Sequence, residues 1–100
     1  MKYSIIVRGL AERDLEDAED WYNGQQSDLG TEFRDTISDL FGRLAENPRI
    51  YPRVYGDVHR AVLRRFPYLV YFLIDGSDVI VLAVLDSRRD PRIHRERSGA

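Results

Sequence analysis

Cysteine is absent from the 100 residues. That excludes a disulfide framework, a thiolate metal site and a cysteine nucleophile. Histidine is scarce: His59 and His94 can at most contribute to a mixed site, so neither a metal nor another cofactor is expected. No apolar run approaches the roughly 20 residues of a bilayer span, so no membrane partner is expected. The opening stretch Met1–Arg8 is too short in its apolar part for a signal peptide, and a cytoplasmic protein is the expectation. Internal repeats and low-complexity tracts are lacking, and only Ser98, Gly99 and Ala100 read as a frayed end.

What is present is globular: 43% hydrophobic and 32% charged residues, enough for one compact domain over residues 1–100. The charge is unevenly spread. Residues 1–48 hold 11 acids and 5 bases, whereas residues 49–100 hold 6 acids and 10 bases, every one of the latter arginine. Guanidinium forks suit phosphate or carboxylate, so an anionic partner on one side of the fold is one reading and a solvated face with ordinary ion pairs is the other.

The hydrophobic pattern changes period along the chain. Residues 3–8 predict a strand. Ala11, Leu15, Ala18 and Tyr22 recur at helical spacing and predict a helix over residues 10–24, ended by Asn23-Gly24. Leu29, Phe33, Ile37, Leu40, Phe41 and Leu44 predict a second helix over 28–46, stopped by Asn47-Pro48. A short connection makes the two an antiparallel hairpin. Residues 49–57 read as irregular. Strands follow at Val58–Arg65, Tyr68–Ile74 and Val79–Leu85, the last two joined by a tight turn at Asp75–Asp78. Asp90-Pro91 begins a short final turn or helix. The fold class is α+β: an N-terminal strand, a helical hairpin and a three-stranded antiparallel meander in one twisted sheet, then a basic C-terminal helix or tail.

Two adjacent strands that are apolar at every position need cover on both faces. The hairpin supplies one. The other face is expected to be open to a protein partner unless the tail folds back over it or a homodimer forms.

Several short phrases in this order carry a resemblance: Asp20-Trp21-Tyr22, Leu29-Gly30 with Phe33, Asn47-Pro48 with Tyr51-Pro52, His59-Arg60, Arg65–Phe72, Ala83-Val84-Leu85 and Arg88-Arg89-Asp90-Pro91. Together they resemble the RelE/ParE superfamily of toxins from type II toxin–antitoxin systems, often labelled plasmid-stabilisation proteins. The resemblance implies a twisted antiparallel sheet with two helices on one face. It also implies growth inhibition and neutralisation by a cognate antitoxin in a hetero-oligomer. RelE-like members bind the ribosome and cut messenger RNA; ParE-like members interfere with DNA gyrase.

Metal-free RNA cleavage needs a base, an acid and cations that hold the phosphate. By the same resemblance, Arg60, Arg88 and His94 stand at catalytic positions of a RelE-like ribonuclease. Val62 and Leu69 occupy two further positions where that reaction uses basic groups, and Asp86 stands where many relatives have histidine. Arginine is a poor general base because its proton hardly leaves. The ParE-like, non-nuclease reading is therefore favoured, and enzymatic activity is left undecided. A non-toxic partner-binding protein is a further alternative.

Trp21, Tyr22, Arg64, Arg65, Tyr71, Arg89 and Arg92 are the expected partner-binding residues. Each has a plainer role available. Trp21, Tyr22 and Tyr71 can be packing residues, Arg64 and Arg65 can be edge-strand charges, and Arg60 can pair with Asp86 across the sheet. Pro67 is expected to set the entry of the strand that follows it.

Overall fold

A computed structural model describes residues 2–88 and 92–98. In chain order come strand β1 (Ser4–Val7), helices α1 (Gly9–Gln25) and α2 (Leu29–Glu46), a 3-10 turn at Pro48–Ile50, strands β2 (Arg53–Tyr55), β3 (Val58–Val62), β4 (Tyr68–Asp75) and β5 (Asp78–Asp86), and helix α3 (Arg92–Ser98). The expected α+β architecture is present. The start of the final helix at Asp90-Pro91 lies outside the described residues.

The periodic apolar residues are the buried ones. In α1 they are Ala11, Leu15, Ala18 and Tyr22. In α2 they include Phe33, Ile37, Leu40 and Leu44. Asn23-Gly24 does not stop α1, which runs on to Gln25. Asn23 instead ties the two helices together, its Oδ1 accepting the backbone amide of Gly30 at 2.8 Å. A β-carbon on Gly30 would lie 2.5 Å from both that oxygen and the Glu19 carbonyl, so only glycine permits the approach. Arg34 reinforces the hairpin by donating to Glu19 at 3.0 Å and Glu12 at 3.3 Å. Burial opposes its charge, but the two carboxylates outweigh that and its pKa is raised.

The five strands form one sheet in the order β1-β5-β4-β3-β2, with β1 parallel to β5 and the other neighbours antiparallel. Strand β2 corrects the irregular reading of residues 49–57. Its three residues are too few to show a period, and its pairing with β3 contains a register irregularity. The β4–β5 turn places Gly76 at φ +60°, a conformation glycine adopts without strain.

A bulge decides which side chains face where. Tyr71 lies opposite Ala83 and Phe72 opposite Val81, so Leu82 is the extra residue on β5. Val79, Val81 and Val84 join the core beneath the helices. Leu82, Ala83 and Leu85 join a second cluster with Val58 and Tyr71 on the opposite face. The expectation of an open second face is corrected here. Helix α3 folds back onto β5, Ile93 packs against this cluster, and the Arg95 guanidinium lies 4.6 Å from the centre of the Tyr55 ring. Exposed apolar residues persist at the margins, among them Ile6 and Val62.

Candidate functional site

Past the end of β1, strand β5 has backbone groups that no neighbouring strand reaches, and two charged side chains take them up. Asp14 on α1 accepts the Val84 amide at 2.9 Å. Arg97 on α3 donates to the Leu82 carbonyl at 3.1 Å and to Asp14 at 2.6 Å. Both side chains are largely buried. Arg8 adds a bond from Nη1 to the Arg97 carbonyl at 3.3 Å.

This junction is one wall of a groove of about 940 Å³ between the start of α1, β5 and α3. Leu10, Leu82 and Ile93 provide its apolar lining and Arg8 and Arg13 its exposed cations; Arg97, paired with Asp14, and Glu96 also line it. Leu10 is 55% exposed; Ile6 on β1, opposite Ile80, is 44% exposed. Arg13 forms no ion pair with the described residues. Sequence reasoning missed Arg8, Leu10 and Arg13. An arginine or leucine near the start of a helix carries no local signal; α3 must fold back before these residues share a groove.

A second surface surrounds Trp21, whose 58% exposure contrasts with buried Tyr22 beside it. The Trp21 ring meets Tyr22 edge-on at 5.0 Å, and Tyr22 in turn contacts Phe33 and Phe66 at 5.5 and 4.8 Å. Tyr22 is thus the packing residue, whereas Trp21 borders a hollow of about 480 Å³ with Pro67, Tyr68, Asp86 and Arg88. Arg88 forks onto Asp86 through Nε and Nη2 at 3.0 and 2.9 Å. The hydrogen bond and charge of Asp86 raise the Arg88 pKa. Burial raises that of the Tyr22 phenol, Asp86 raises it further, and Arg88 pulls it back in part.

Of the three candidates for RNA cleavage, Arg60 and Arg88 are not brought together. Arg60 is the cross-strand partner of Tyr71, whose side chain faces the second cluster, and its Nε is buried without a hydrogen-bond partner among the described residues. Arg88 lies with Trp21 and Tyr22 on the helix side of the sheet. The anticipated Arg60–Asp86 pair is corrected for the same reason: Asp86 falls on the helix side after the bulge and binds Arg88 instead. His94 falls within α3, but its side chain lies outside the described residues.

Arg64 and Arg65 lie beyond the end of β3, not on an edge strand. Arg65 adopts φ +71° and reaches Glu32 on α2 at 2.9 Å. Tyr71 is buried and Arg92 is exposed. Arg89 lies outside the described residues. Among the described residues no helix is long and apolar enough to cross a membrane, and no group of three His, Asp or Glu side chains is placed to hold a metal.

The same fold occurs in known proteins. A family model described as the ParE toxin of the type II toxin–antitoxin system parDE matches residues 5–91. Similar solved structures include a chain of a chromosomal ParDE system from P. aeruginosa, with 18% identity over 83% of this chain and 94% of that chain and a TM-score of 0.74. A chain of the toxin–antitoxin complex RelBE2 from Mycobacterium tuberculosis has 22% identity over 84% and 96%, with a TM-score of 0.63. A mutant of E. coli toxin RelE in the free state has 18% identity over 99% and 97%, with a TM-score of 0.60. At these identities the structural likeness is one of fold. No curated protein sequence matches significantly.

Proposed function

The chain belongs to the ParE toxin family of type II toxin–antitoxin systems, and we propose that it restrains growth in the cytoplasm by a ParE-like interaction with DNA gyrase until a cognate antitoxin neutralises it. The groove between α1, β5 and α3 carries the antitoxin half of this reading. It joins an apolar floor to arginines at its rim, a surface matched to an acidic segment with an apolar stripe. Leu10 is 55% exposed, so completing its burial is worth roughly half of the 1.5–3 kcal/mol of a fully exposed side chain.

The inhibitory half rests on the separation of Arg60 from Arg88. Cleavage at a 2′-hydroxyl requires cations and proton carriers around one phosphate. Arg60 and Arg88 lie on opposite sides of the sheet, and Arg88 is forked onto Asp86. That separation supports inhibition by binding over cleavage.

The test is induction of the chain with and without the product of the adjoining reading frame. Filamentation and a DNA-damage response, both relieved by co-expression, are the expected result. Prompt translation arrest with cuts inside ribosome-bound codons overturns the gyrase reading. Unimpaired growth overturns toxicity altogether.

A further inference from the structure

The helices leave one end of the sheet uncovered. α1 packs over β5, and α2 over β1 and the 3-10 turn. At the far end of the same face, Arg53 on β2 and His59 on β3 are direct cross-strand partners, so their side chains share a face. With Arg49, Asp57 and Ile74 they line a hollow of about 290 Å³.

His59 is held in a defined orientation. Its ring lies nearly flat against Phe72, with centroids 5.2 Å apart and planes inclined by 14°. Its Nδ1 is 2.8 Å from the Tyr51 carbonyl oxygen. A carbonyl only accepts, so Nδ1 carries the proton and donates it. Nε2 is therefore the ring atom left for a ligand, and it is not among the buried polar atoms that lack a hydrogen-bond partner. Arg49 forms no ion pair with the described residues. Arg53 pairs with Asp57 at 3.5 Å, and that carboxylate side chain is 88% exposed. An exposed pair of that kind contributes little and exchanges readily.

We propose that Arg49, Arg53 and the Nε2 of His59 form a binding site for a phosphate group. Two guanidinium groups donate to its oxygens. Nε2 either donates when the ring is protonated or accepts from the P–OH of hydrogen phosphate when it is neutral. Ile74 supplies an apolar wall, and Asp57 competes with the ligand for Arg53. The site faces away from Arg60, so it stands apart from the candidate nuclease residues and does not depend on the gyrase reading. The free ion and the end of an oligonucleotide both present this group, and the chemistry of capture is the same.

The experiment follows the His59 Nε2 resonance by NMR during titration with inorganic phosphate, with chloride at matched ionic strength as the control. Saturable displacement with phosphate alone is expected. Arg49→Gln and Arg53→Gln should each weaken it about tenfold, the loss of one charge-assisted bond, and Asp57→Asn should tighten it. All three residues are exposed, so these variants are expected to keep the fold, which the unchanged Phe72 ring resonances would verify. A response equal to that of chloride, one undiminished in the arginine variants, or weakening by Asp57→Asn overturns the site. A second titration uses a short 5′-phosphorylated oligoribonucleotide: tighter binding than inorganic phosphate identifies nucleic acid as the source, and equal or weaker binding identifies the free ion.

Discussion

Asp14 and Arg97 are separated by 83 residues in sequence and by 2.6 Å in space, and between them they satisfy both backbone groups exposed at the β5 bulge. Arg97→Ala removes the donor to Leu82 and leaves a largely buried carboxylate uncompensated, at an expected cost of about 2 kcal/mol. Asp14→Asn keeps an acceptor for the Val84 amide and should cost less. Urea unfolding and hydrogen exchange at the Val84 amide measure both effects. Unchanged exchange in Arg97→Ala would show that the pair does not hold α3 to the sheet.

The helical hairpin offers a contrast between glycines. Gly30→Ala drives a methyl group into Asn23 and the Glu19 backbone and should destabilise by about 1–3 kcal/mol. Gly42, inside α2 with open space around it, should stabilise by up to about 1 kcal/mol when changed to alanine. Thermal melts of the two variants should move in opposite directions.

Tyr22 links stability to alkaline pH. Its folded pKa lies above the usual value of 10.0, through burial first and Asp86 second. Above that value the unfolded chain releases this proton while the folded chain retains it, so stability falls as pH rises through that range and the contribution is fully present below it. Tyr22→Phe should flatten the decline between about pH 9 and the folded pKa, as followed by denaturation midpoints. An equally steep decline would assign the effect to other groups.

The groove at α1 makes a prediction about the antitoxin. Leu10→Asp places a charge on the apolar floor, opposite in effect to the arginines at the rim, and should weaken the complex at least about tenfold. Stability should change little because Leu10 is exposed. Trp21→Ala, in a separate hollow, should leave that affinity nearer to the original. Calorimetric titration with the adjoining gene's product distinguishes the two surfaces, and equal losses would move the contact beyond the groove.

Much of the scaffold was legible because its signals are local. A stripe such as Ala11, Leu15, Ala18 and Tyr22 needs only helical spacing, and Asn47-Pro48 ends α2 through its own backbone restriction. The candidate site was less legible. Arg60 and Arg88 look like members of one basic set when read in order, yet they occupy opposite sides of the sheet. Trp21 and Tyr22 look equivalent as neighbours, yet one is exposed and the other is packed among Phe33 and Phe66.

The residue order alone therefore determined the helices, the long apolar strands and the family resemblance, since each depends on spacing within a short segment. Tertiary structure alone decided that Leu82 would be an extra residue against β4, that Asp86 would turn toward Trp21, and that α3 would close over the second face. A bulge is defined by the count of residues on two paired strands, and a returning helix by charges that meet across the whole chain. Neither relation exists until the segments are side by side.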